Sequence, residues 1–131
     1  LRGMHEHSPP DAIFALDLSG LRRSDVEVWS AWVGEAIAGI GALKKHSDRR
    51  GEIKSMRTHP DFLRRGVVDA LLGTIVERAC ELGLSTLSLE TGSGPGFDPA
   101  ISFYRARGFE PGEAFGNYAK SAFNQFFHRT L

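Results

Sequence analysis

The stretch FLRRGVVDALLG, Phe62 to Gly73, places two arginines and a glycine where an apolar helix pattern begins. The first turn of a helix leaves backbone N–H groups unpaired and carries partial positive charge. Cations are unfavourable there unless an anion sits beside them. Such an end is an anion site well suited to phosphate. Backbone N–H groups at Arg64, Arg65, Gly66, Val67 and Val68 can line it, and Gly66 permits close approach or positive φ. Arg64 and Arg65 then offset phosphate charge. The plain alternative is a solvated pair of surface arginines.

Other residues admit chemistry with less pattern behind them. Glu52 opens one strand-like stretch and Glu90 closes another, so each reads as a carboxylate base or as a solvated strand residue. Tyr104 reads as a proton donor or as a packed helix aromatic. His5 and His7 flank Glu6 and invite a metal, but no further ligand stands at metal-site spacing, so a surface segment without metal is preferred. His59 precedes Pro60 and reads as structural. Cys80 reads as helix packing, because no Cys-His arrangement accompanies it. The run GSGPG, Gly92 to Gly96, has the place of a dinucleotide fingerprint but not its spacing.

These residues need elements to position them. Leu1 to His7 reads as the end of a helix stopped by Pro9 and Pro10, and Asp11 as the N-cap of a short helix to about Asp17. VEVWSAWV (Val26 to Val33) is β-branched and aromatic, hence a strand. Gly34-Glu35 fits a two-residue hairpin loop, and AIAGIGALKK (Ala36 to Lys45) the return strand, with Gly39 and Gly41 on one face. EIKSMRT (Glu52 to Thr58) is a third strand. Val67, Leu71, Ile75, Ala79 and Leu82 recur at helical spacing, and Gly83 ends that helix. LSTLSLE (Leu84 to Glu90) is a strand. Asp98-Pro99 starts a helix that Gly108 closes, and two strands follow, from Phe109 and over Phe123 to Leu131. A strand–helix–strand unit implies a parallel pair of strands.

Composition limits what such a chain does. Its 131 residues predict one domain over 1–131. Sixteen basic residues balance sixteen acidic ones, which argues against a nucleic-acid partner. No apolar run is long enough to span a bilayer, so no membrane role is expected. The single cysteine excludes an internal disulfide, and with no signal peptide visible a cytoplasmic location is expected.

From Ser55 to Phe109 the chain resembles the GNAT superfamily of N-acetyltransferases. IKSMRTHP leading into FLRRGVVDALL matches the family's strand, its [Gln/Arg]-x-x-Gly-x-[Gly/Ala] loop and its central helix. LSLETG matches the next strand, and AISFYRARGF the Ala-x-x-x-Tyr-x-x-x-Gly-Phe helix and strand. The departures are Leu63 for Gln or Arg, Val68 for Gly or Ala, and Phe97 for a frequent Asn. The fold class implied is α/β (α+β), a mixed and mostly antiparallel sheet with a central β-α-β unit. Because the chain opens on Leu1, the family's N-terminal strand is expected to be missing.

The resemblance implies acetyl-coenzyme A as cosubstrate and no metal. Met56, Arg57 and Thr58 would hold the pantetheine arm, Arg64 to Val68 the pyrophosphate, with Phe97 and Arg107 completing the set. Tyr104 would protonate the departing thiolate. Glu52, or else Glu90, would take the proton of the amine. Direct attack within a ternary complex needs no covalent acyl-enzyme. The acceptor would be a small amine, an amino acid or a peptide amine. Family habit and the apolar run FNQFFHRTL imply a possible homodimer. A coenzyme-binding module without turnover and a protein-interaction domain are the other classes open.

Overall fold

The structure is a computed structural model that describes residues 3–5 and 25–131. Seven strands among the described residues form one sheet: β1 (Gly3–His5), β2 (Val26–Val33), β3 (Ala36–Lys45), β4 (Arg50–Thr58), β5 (Thr86–Gly92), β6 (Glu110–Pro111) and β7 (Asn124–Thr130). Their order across the sheet is β1-β2-β3-β4-β5-β7-β6. Only β4 and β5 run parallel, joined through helix α1 (Val67–Glu81). Helix α2 (Asp98–Ala106) follows β5. The mixed, mostly antiparallel sheet with a central β-α-β unit is the architecture expected.

Two expectations at the N-terminus need correction. Leu1 to His7 does not read out as a helix end, because Gly3, Met4 and His5 pair with Trp32, Ala31 and Ser30 as β1. The strand expected to be missing is therefore present in short form. An extended segment supplies partners to the open edge of β2, and a turn of helix supplies none. The helix expected from Asp11 lies outside the described residues, as do Glu6 and His7.

The core follows the apolar stripe. Val67, Leu71, Leu72, Ile75 and Ala79 of α1 are buried in one cluster with Ile53, Leu87, Leu89, Tyr104, Phe109 and Phe127. Each such leucine or isoleucine contributes about 1.5–3 kcal/mol. Gly39 lets the start of α1 sit close to β3: a Cβ there would lie 2.5 Å from Val67 Cγ1 and 2.9 Å from the Arg57 carbonyl oxygen. Cys80 is exposed, not packed as expected, because the buried stripe passes through Ala79. No helix among the described residues is long and apolar enough to cross a membrane.

The other sheet face carries a second aromatic group. Phe115 meets Tyr118 at 5.3 Å, Phe126 at 5.8 Å and His128 at 5.7 Å between ring centres. Phe126 and Phe127, from the run expected to pair two copies, are thus consumed within the chain, while Phe123 is 84% exposed.

Candidate active site

The site begins where two strands part. β4 and β5 pair only through Arg50↔Thr86, Gly51↔Leu87 and Glu52↔Ser88. Beyond that point β4 carries a bulge. Ile40 pairs with Arg57 and Ala42 with Lys54, so Gly41 faces both Ser55 and Met56. Ser55 takes a φ of 56°, in the left-handed region, to make the extra step. Gly41 leaves room for Met56, since a Cβ would lie 3.0 Å from its sulfur. The parting opens a cleft of about 920 Å³ between the strands and the two helices.

Met56, Arg57 and Thr58 line one wall of this cleft. Thr58 Oγ1 is buried and has no hydrogen-bond partner among the described residues. A buried, unpaired hydroxyl carries a desolvation cost that a bound partner would relieve. At the cleft's end the loop reverses twice, with φ of 61° at Arg64 and 77° at Gly66. Gly66 is the N-cap of α1 and offers no side-chain cap, so the first-turn N–H groups stay open. Alternating handedness of this kind forms an anion-binding concavity. Arg64, Gly66, Val67 and Val68 line the cleft, whereas Arg65 does not: its guanidinium lies over the Phe62 ring at 5.6 Å.

The far wall holds the remaining expected groups. Phe97 lines it and covers Gly92, where a Cβ would lie within 2.5 Å of the ring. Arg107 lines it too, but its Nε is bound to Asp69 at 2.8 Å and its guanidinium lies 3.7 Å from the Phe103 ring centre. That bond holds the Asp69 carboxyl below the usual carboxylate range. Tyr104 borders the cleft from α2, edge-on to Phe103 and Phe109. Its hydroxyl makes no hydrogen bond among the described residues, and burial pushes its pKa up to about 12.

The two carboxylates part company. Glu90 lines the cleft, is exposed, and accepts a hydrogen bond from Asn124 Nδ2 at 2.9 Å. Glu52 does not line the cleft. Strand alternation turns it to the face opposite Ile53, where it is 2% exposed. There it accepts from the Tyr118 hydroxyl at 2.5 Å and lies 2.9 Å from His46 Nε2. His59 is structural as read: its Nδ1 accepts from the Asp61 amide at 3.1 Å.

Sequence reasoning did not find Tyr118, His46, Asn124 or Asp69. His46 was within reach: Lys44 pairs with Glu52 across the hairpin, which brings the next residue of that face beside it. Nothing local announces Tyr118, which stands sixty-six residues from Glu52.

The model of the acetyltransferase (GNAT) family matches residues 2–109. The chain is 44% identical to the uncharacterized N-acetyltransferase YedL of Escherichia coli K12, across all of this chain and 82% of that protein. It is also 44% identical to the uncharacterized N-acetyltransferase YsnE of Bacillus subtilis 168, across all of this chain and 87% of that one. Its fold is shared with a Bacillus subtilis acetyltransferase solved in complex with CoA, at a TM-score of 0.78 and 18% identity, covering 98% of this chain and 97% of that one.

Proposed function

The chain belongs to the acetyltransferase (GNAT) family, and from that premise we propose that it moves the acetyl group of acetyl-coenzyme A to a primary amine by direct attack with both bound. The observation that carries this reading is the parted β4–β5 cleft. It ends on the uncapped start of α1 and holds the unpartnered Thr58 hydroxyl in its wall. The donor set fits a phosphorylated, amide-bearing arm: open N–H groups and Arg64 for phosphate, and the bulged strand backbone and Thr58 for amides. That CoA occupies the Bacillus subtilis neighbour supports the same reading.

Acetyl-coenzyme A supplies an activated thioester. This chain's residues orient it and manage protons. The Met56 backbone, at the bulge, offers an N–H toward the carbonyl oxygen. Tyr104 stays protonated across neutral pH and donates to the thiolate as the C–S bond breaks. Glu90 faces the acceptor side and draws in an ammonium group. Taking its proton falls to Glu90 directly or to Glu52 through an intermediary.

A coenzyme-binding module without turnover is the second reading, favoured by Phe97 and Val68 in the cleft wall. Thiol release separates the two. Acetyl-coenzyme A is incubated with tyramine, L-leucine, glycylglycine and Nα-acetyl-lysine. Amine-dependent release establishes the transferase; binding by calorimetry without release leaves the module; neither removes both.

A further inference from the structure

We propose that Tyr118, Glu52 and His46 form a proton exit from the acceptor side of the cleft to solvent, a proposal that rests on the transferase reading. The three side chains come from separate parts of the chain: the segment between β6 and β7, strand β4, and the β3–β4 turn. Tyr118 donates to Glu52 Oε2 at 2.5 Å, and His46 Nε2 lies 2.9 Å from Oε1. The first distance is at the short end for a hydroxyl bonded to a carboxylate. Glu52 is sealed from water, while the His46 side chain keeps 16% of its surface exposed. Tyr118 is half-buried with its hydroxyl committed to Glu52, so a proton handed on to that sealed carboxylate has His46 as its onward route to water.

None of the three lines the cleft, and Tyr118 is the member that feels the charge of a cleft residue, Glu90. Its ring lies 5.9 Å from that of Phe126, whose register partner is Glu90 of the cleft wall. Burial, the Glu52 bond and the charge of Glu90 together push its phenol well above the ordinary tyrosine range. Other charged groups share this face. Lys44 is the register partner of Glu52 on β3, and Arg50 and Lys54 flank it on β4. Arg50 is engaged by Asp48, Ser88 and His128. None of them hydrogen-bonds the Glu52 carboxylate, whose two oxygens are left to Tyr118 and His46.

A latch for the 112–123 segment would not need this carboxylate. Phe115 already packs there, and His128 Nε2 is bonded to the Glu113 carbonyl at 2.7 Å. Burying a carboxylate instead adds a desolvation cost. As a conduit the arrangement has a use. The ammonium gives one proton to the Tyr118 oxygen, through water or directly, as Tyr118 passes its own proton to Glu52. His46 takes that proton from Glu52 and releases it to solvent. Tyr118 and Glu52 end as they began, and the neutral amine forms its C–N bond as C–S breaks.

The test is the pH dependence of kcat for Tyr118→Phe and His46→Gln with acetyl-coenzyme A and the fastest of the four amines above. At pH 7 each variant should lose about 10²-fold in kcat with KM for acetyl-coenzyme A unchanged. At the pH where the amine used is half neutral without help, about 10.5 for an alkylamine and about 8 for a peptide α-amine, the loss should shrink to a few-fold. His46→Ala should regain activity with added imidazole. A packing role predicts the same deficit at every pH and no imidazole effect, and either result overturns the conduit. Undiminished turnover in both variants overturns it as well. If Tyr118→Phe does not fold, the His46 variants decide alone, since that side chain sits at the solvent end. If wild type acetylates none of the amines, the transferase reading fails first and takes this proposal with it; if wild type turns over and the profiles stay parallel, only the conduit fails.

Discussion

Arg107 holds Asp69, its Nε 2.8 Å from the carboxylate, and so ties the end of α2 to the first turn of α1. The contact places a negative charge at the helix end where phosphate is expected, and it occupies Arg107, the cation just past α2 that lines the cleft. Asp69→Asn should release Arg107 and tighten coenzyme A binding by about two- to fivefold at low salt, with the gain fading as salt rises. Calorimetry at two ionic strengths reads this. Unchanged affinity would mean that Arg107 serves only to join the two helices.

Thr58 gives a prediction with opposite signs in the free and bound protein. Its buried Oγ1 has no partner among the described residues. Thr58→Val keeps the shape and removes the orphaned hydroxyl. The free protein should gain about 1 kcal/mol, a rise in Tm of about 3–5 °C. Coenzyme A affinity should fall by about fivefold or more, because the hydroxyl finds its partner only in the complex. A variant that binds as well as wild type would take Thr58 out of the site.

Much of this was legible because local rules and the fold agree. Val26–Val33 and Ala36–Lys45 are strands at the bounds their composition gives, and Gly34, with a φ of 60°, turns between them. The positive φ of Gly66 and Gly83 marks both ends of α1 as read. The bulge at Ser55 was not legible, since serine has no standing preference for a left-handed φ. It lies opposite Gly41, where the register between the two strands shifts. The placing of Glu52 was half legible: its neighbour Ile53 is apolar, so alternation assigns the two to opposite faces. Its partner Tyr118 comes from an irregular segment, whose path depends on Phe115 finding the sheet. β1 was missed because Gly3–His5 has no β-branched residue and depends on the edge of β2.

Val68 tests the loop's one bulky departure from its family pattern. It lines the cleft beside Gly66, partly buried. If its branched side chain crowds the phosphate, Val68→Ala should tighten coenzyme A binding by about 1 kcal/mol, roughly fivefold. Alanine's better helix propensity should also leave Tm unchanged or slightly higher. Equal or weaker affinity would show that the loop already accommodates valine.

Tyr104 joins a stability prediction to a catalytic one. Burial raises its pKa to about 12 in the fold, against an ordinary tyrosine value near 10. A raised folded pKa means the folded state holds the proton more tightly. The contribution is therefore complete below pH ~10 and is lost as pH climbs from there through the folded value, amounting to about 3 kcal/mol. Urea midpoints of wild type should fall over that interval. Tyr104→Phe should show a shallower fall, with the residue left by Tyr118, whose phenol is shifted in the same direction. At pH 7 the same variant keeps the ring and its edge contacts with Phe103 and Phe109 but has no proton to give. As donor to the thiolate it should be missed by about 10²-fold in kcat, with coenzyme affinity little changed. The two readouts are independent. A shallower alkaline profile with turnover within a few-fold of wild type would leave Tyr104 buried as described and strike it from the mechanism, with solvent water as the proton source.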